Sequence, residues 1–285
     1  MVLFGPAGNS ESFYAEGHKH TYEAFSWIKA KELRAFEYSF GRGVRISQTA
    51  AEKIAHEAYA NGIALSVHAP YYINLATDDE QKAEANLRYF LQTITAAVWM
   101  GATRIVFHPG SAGTLARAAA FALAKNSLSA VLRFMQDEQL YTVTLCPETM
   151  GRLKQIGDLD EIIDLCLMDE KLVPAIDFGH LHARGLGALK DEQDFAAVLD
   201  KLENGIGKER MHHFHAHFSR IEYTAAGEKM HRTFADTKYG PDFAPLARQI
   251  IKRNLEPVLI CESRGTMAED AMEMKRIYEK ELGKT

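Results

Sequence analysis

The chain has 285 residues, 47% of them hydrophobic, enough for one sizeable core and at most two. A net charge of −5 excludes a uniformly cationic surface, so binding to any polyanion requires a local basic patch. Three cysteines (Cys146, Cys166 and Cys261) with no CxxC pair exclude both a disulfide framework and a thiolate zinc site. The N-terminal MVLFGPAGNS does not read as a secretory signal, and no apolar run approaches the roughly 20 residues that cross a bilayer. These features predict a reduced, cytoplasmic protein without a membrane partner.

Short apolar segments rich in branched residues alternate with longer amphipathic ones. The predicted strands are 3–8, 35–40, 64–70, 104–110, 142–149, 173–180, 211–219 and 257–263. Helical periodicity marks 49–60, 86–100, 115–135, 191–204 and 267–282, with Ser47 and Asp158 as N-cap candidates. Eight strands alternating with helices predict a single-domain (β/α)₈ TIM barrel over residues 1–285. An open doubly wound sheet is the alternative that periodicity leaves standing.

A barrel gathers the C-terminal ends of its strands on one face, where active sites form. Read in order, those ends supply His68 in SVHAP, His108 in VFHPG, Glu148 in CPETMG, and Asp177 and His180 in IDFGH. They continue with His215 and His217 in HFHAHFS and Glu262 in ICES, and His231 follows in the loop segment EKMHRTF. One strand-terminal imidazole or carboxylate is ordinarily a capping or loop residue. Six strand ends bearing such groups on one rim need a neutralising partner, and clustered metal ions supply it. Mixed imidazole and carboxylate donors suit zinc, with manganese and iron as alternatives. Their number exceeds one tetrahedral ion and suits two or three, the usual arrangement for phosphate-ester hydrolysis.

The loops expected on that rim carry net positive charge, whereas the whole chain is negative. Arg42, Arg45, Arg184, Arg220 and Arg264 are the candidate phosphate contacts. Tyr71 and Tyr72, in HAPYYINL, either stack on or wedge between bases or form the packed floor of the pocket.

The strings GRGVRIS, HAPYYINL, VFHPGS, PET, IDFGHLHARG, HFSRIEYT and GEKMHR resemble the endonuclease IV family of apurinic/apyrimidinic endonucleases, particularly its archaeal-type branch. The resemblance runs over nearly the whole chain. It implies a TIM barrel with a trinuclear zinc site that cuts DNA 5′ to an abasic sugar in base excision repair, using metal-activated water and leaving a 3′-hydroxyl and a 5′-deoxyribose phosphate. By position it implies His68 and His108 on one ion, with Glu148 bridging to a second. Asp177, His215 and Glu262 would complete the second, and His180 and His231 would bind the third. Glu148, Asp177 and Glu262 would be the catalytic carboxylates, and Arg42 and Tyr71 match positions that enter the minor groove. The expected partner is double-stranded DNA with abasic sites, met by a monomer associated with the nucleoid when acting.

Two positions depart from the family pattern. Lys229 stands where relatives carry an Asp two residues before the third-site histidine, which leaves the third ion weakly held, absent, or supplied by another residue such as Asp236. The last strand reads CESRG, placing Arg264 where many relatives have Pro. Two other functions remain compatible with this barrel. One is a sugar isomerase or epimerase of the xylose-isomerase-like superfamily with a single divalent ion, and the other is a non-catalytic metal- or DNA-binding barrel.

Overall fold

The computed structural model describes every residue except Arg42, Tyr141 and Thr285. Eight short parallel strands form the frame: β1 (Leu3–Pro6), β2 (Ala35–Ser39), β3 (Ala64–His68), β4 (Arg104–Phe107), β5 (Thr144–Pro147), β6 (Ala175–Asp177), β7 (His215–Phe218) and β8 (Val258–Cys261). Ladder bonding orders them β2-β3-β4-β5 in one sheet and β1-β8-β7-β6 in the other. Single parallel bridges, Ala7 with Glu37 and Glu148 with Ala175, close the two sheets into one eight-stranded ring. The barrel thus has the expected strand order, and the open doubly wound sheet is excluded. At the β1–β2 seam Gly5 leaves no room for a side chain: a Cβ there would sit 1.8 Å from the Ala35 carbonyl oxygen.

The helices outside the ring follow the apolar periodicity. Glu80–Trp99 turns Phe90, Ile94 and Ala97 inward, and the Phe90 ring meets Phe107 of β4 edge-on at 5.0 Å. Arg117–Asp137 buries Ala124, Leu128 and Val131 in the same way. Each such large apolar side chain contributes roughly 1.5–3 kcal/mol on burial. Ser47 and Asp158 cap helices as expected, accepting from the amides of Ala50 and Glu161. The three cysteines are buried and free. No helix among the described residues is long and apolar enough to cross a membrane.

All eight strands are shorter than predicted, and two of them are cut back by a helix. The sixth stops at Asp177, whose Oδ1 accepts from the His180 amide at 2.7 Å and opens a helix over Phe178–Arg184. The seventh starts only at His215, because Lys208–His212 is helical. A structured element also replaces the loop expected after β7. Arg220–Thr224 and Gly227–Arg232 form an antiparallel hairpin turned at Gly227, whose φ of 94° suits a residue without Cβ. This hairpin is tied to the loop after β5 by a bridge between Arg152 and Gly227, and Gly110–Ser111 pairs with Gln155–Ile156 beside it. The rim loops are therefore knitted together around the mouth of the barrel.

Candidate metal centre

Alternate residues of each strand point into the barrel, so the last inward position of each strand faces the mouth. There His68, His108, Glu148, His180, His231 and Glu262 line a cavity of ≈ 410 Å³ together with Glu37, Tyr71, Arg152 and Glu228. Glu148 lies at its centre and is almost fully buried. Its Oε2 is 3.1 Å from both His68 Nε2 and His108 Nε2, and its Oε1 is 3.1 Å from His217 Nδ1. Asp177 and Glu262 adjoin, with Glu262 Oε1 3.4 Å from His217 Nδ1 and Oε2 3.7 Å from His231 Nε2.

These donors fall into three groups that could each hold an ion: His68, His108 and Glu148; Glu148, Asp177, His217 and Glu262; and Asp177, His180, His231 and Glu262. Their chemistry fits metal ions. His68 Nδ1 lies 2.7 Å from the Ala69 carbonyl oxygen and must donate to it, so the neutral ring turns an Nε2 lone pair toward the Glu148 carboxylate. A lone pair facing a carboxylate 3.1 Å away calls for a cation or a proton between them. Asp177 Oδ2 is buried and has no hydrogen-bond partner, a costly state that a bound cation relieves.

The titration of the bare chain reflects the same demand. Burial disfavours the charged form of His68, yet the hydrogen bond and charge of Glu148 outweigh it and raise the imidazole to about 9. His217 and His180 are likewise raised well above the usual histidine value, against their burial, by Glu37 and Glu262 in the first case and by Asp177 and Glu148 in the second. Burial would raise Glu148, but the surrounding imidazoles, His217 foremost, hold it well below the usual carboxylate range. Glu262 moves the other way, pushed up by burial.

Three expectations change in detail. His215 does not reach the mouth. It points inward one layer beneath His217 on β7, and its Nε2 lies 3.0 Å from Glu37 Oε2. His217, two residues nearer the strand end, occupies the place expected for His215. Lys229 turns outward to pair with Glu222 at 2.6 Å, and Asp236 does not replace the missing acid, since its carboxylate caps the Lys238 amide beside Arg232. The acid that does reach the third group is Glu228, with Oε2 3.5 Å from His180 Nε2. The hairpin register explains this: Ile221 pairs with His231, Glu222 with Met230, and Tyr223 with Glu228, which leaves Lys229 as an extra bulged residue. The bulge reverses side-chain parity, so Glu228 shares a side with His231 and Lys229 does not.

The expected phosphate contacts divide. Arg42 lies outside the described residues. Arg45 and Arg264 are exposed, as are Tyr71 and Tyr72, and Tyr71 also lines the cavity. Arg184 is engaged elsewhere, donating to the carbonyls of Met150, Arg152 and Gln155 and so bracing the loop after β5. Arg220 similarly holds the carbonyls of Asp236 and Tyr239 and the Asp242 carboxylate. Arg152, exposed on the lip of the cavity, is a cation that motif reading passed over.

The chain belongs to the xylose isomerase-like TIM barrel family, whose model matches residues 25–280. It is 31% identical over 278 residues to the uncharacterized protein MJ0133 of Methanocaldococcus jannaschii, a match that covers 98% of this chain and 97% of that one. A probable endonuclease 4 of Staphylococcus carnosus is 32% identical over 165 residues, or 56% of this chain and 53% of the relative, so that match spans about half of each protein. Endonuclease IV from Thermus thermophilus superposes with a TM-score of 0.69 at 21% identity, over 99% of this chain and 98% of that one. A D-tagatose 3-epimerase-like protein superposes with a TM-score of 0.73 at 16% identity, over 99% and 97% respectively. At these identities the two solved structures share the barrel with this chain, and the fold alone does not choose between their chemistries.

Proposed function

We propose that the bowl is a multinuclear metal centre and that the chain is an apurinic/apyrimidinic endonuclease, hydrolysing the DNA phosphodiester 5′ to an abasic sugar. The observation that carries this reading is the surplus of imidazoles. Glu148, Asp177, His217 and Glu262 would suffice for one ion, yet two further histidine-rich groups share Glu148, Asp177 and Glu262 with them. Bound zinc would supply Lewis acidity and a water made acidic enough to attack phosphorus near neutral pH. His68, His108 and Glu148 would hold one ion, Asp177, His217 and Glu262 would join Glu148 around the second, and His180, His231 and Glu228 would hold the third. The two oxygens of Glu148 face different imidazoles, which suits a bridging role. Tyr71, two-thirds exposed beside the mouth, would contact an unstacked or abasic position, while Arg45, Arg152 and Arg264 would offer charge to the flanking phosphates.

The test is cleavage of a duplex carrying one abasic site, with and without chelator. Cleavage that stops on chelation and returns with zinc is the expected result, and no cleavage by metal-loaded protein overturns the proposal. The rival is a sugar epimerase, favoured by the carboxylate-rich set Glu148, Asp177, His217 and Glu262, which alone resembles a single-ion site. Metal analysis separates the two. Two or three ions per chain support the nuclease, and one supports the epimerase.

A further inference from the structure

Beneath the bowl lies a second polar layer, centred on a carboxylate that neither the family resemblance nor the proposed reaction uses. Its centre is Glu37, in the middle of β2, flanked by Phe36 and Tyr38 and almost wholly buried. A carboxylate in such surroundings is tolerated only if it is thoroughly partnered. Ser66, its register partner on β3, donates to Oε2 at 2.8 Å, and His215 Nε2 approaches the same oxygen at 3.0 Å. The other oxygen, Oε1, lies 2.9 Å from His217 Nε2. That last approach has hydrogen-bonding length but poor direction, so both atoms remain formally unpartnered in a fully buried place.

We propose that Glu37 is a positioning residue for the metal centre: it takes the Nε2 proton of His217 as a hydrogen bond, which fixes the tautomer and leaves the Nδ1 lone pair for an ion. The two ring nitrogens already face in these two directions, Nε2 down toward Glu37 and Nδ1 up toward Glu148 and Glu262. A carboxylate on the far nitrogen of a ligating histidine orients the ring and raises its basicity. His215 and Ser66 take Glu37 Oε2, so the carboxylate is held from below while Oε1 is left for His217. His215, the histidine that the family resemblance placed at the metal, thereby acquires a role at one remove from it.

This inference rests on the reading of the bowl as a metal centre and not on DNA as substrate. Zinc affinity, measured by competition with a chelator, tests it in wild type, Glu37→Gln, His217→Asn and the double variant. Glu37→Gln should weaken binding about 10- to 100-fold, and should add nothing further once His217 has become Asn. Equal affinity in Glu37→Gln and wild type, or the same loss with and without His217, overturns the proposal. Nitrogen-15 shifts of the histidine rings in zinc-loaded wild type, with His217 identified by its disappearance in His217→Asn, decide the matter even if Glu37→Gln fails to fold. A protonated Nε2 and a metal-bound Nδ1 are expected, and the opposite tautomer overturns it. Wild-type protein that binds two or three ions yet leaves abasic DNA intact would sink the nuclease reading and leave this one standing.

Discussion

The bowl is built in two ways, and the two sides contrast. His68, Glu148, Asp177 and His217 lie at or immediately beside barrel strand ends and are buried; the strands of His68 and His217 are laddered on both sides, and those carrying Glu148 and Asp177 on one side, with a single bridge on the other. His231 and Glu228 come from a two-stranded hairpin projecting beyond the barrel, are only partly buried, and face the bowl because of one bulged residue. Sites built on scaffold strands are more exactly placed than those on projecting segments. The strand-borne groups should therefore hold ions tightly, and the hairpin-borne group should hold its ion least tightly.

The largest effect should come from the strand-borne centre. Glu148→Gln removes the charge that two of the donor groups share, so cleavage of abasic duplex should vanish and bound metal should fall by more than one ion. Retention of either, measured by gel assay and metal analysis, would break the contrast. On the hairpin side, Glu228→Gln should weaken one ion by about tenfold or more and leave the others in place. Lys229→Ala should leave the metal complement unchanged, because Lys229 faces outward to Glu222. If Lys229→Ala cost an ion and Glu228→Gln did not, the bulge argument would fail.

The pH dependence of the metal-free chain sharpens the contrast between the mouth and the layer below it. His68 is raised to about 9, so its protonated form stabilises the folded chain. That contribution is complete below the unfolded value of about 6.5 and is lost as pH rises through about 9. His215 is pushed the other way by burial, to about 4, despite its hydrogen bond to Glu37. Its contribution is complete above the unfolded value and is lost as pH falls toward 4. The thermal midpoint without metal should therefore decline on both sides of neutrality. Saturating zinc should flatten the alkaline decline, since an ion needs the deprotonated imidazole. An alkaline decline that persists with zinc bound would refute this account.

Much of this was legible from strand ends alone. Parallel strands in a barrel must deliver their last inward residues to one face, so His68, His108, Glu148, Asp177 and Glu262 could be gathered from the sequence. What stayed hidden depended on register. His215 and His217 share one inward side of β7, and only depth along the barrel axis decides which of them meets the ions. Glu228 was hidden because a bulge of one residue reverses hairpin parity, and no local pattern in GEKMHR announces it. Glu37 was hidden because AFEYSF reads as an ordinary strand; the signal was an acid at an inward position with no solvent to face.

The cationic rim carries the smallest and most discriminating effect. Arg264 and Arg184 were equivalent as loop arginines, and their surroundings separate them. Arg264 is exposed and rests against the Met230 sulfur at 3.4 Å, so its charge remains available to a phosphate. Arg184 donates from Nη1 to three carbonyls of the loop after β5, and its Nη2 faces the Asp158 carboxylate. Arg264→Ala should therefore lower the slope of log affinity for duplex against log salt by about one and leave thermal stability unchanged. Arg184→Ala should do the reverse, leaving that slope intact while lowering stability by about 1–3 kcal/mol as carbonyls lose their charged donor. Binding titrations at several salt concentrations, set beside melting curves, distinguish the two. If Arg184→Ala changed the slope and not the melting point, the division between bracing and contacting arginines would be wrong.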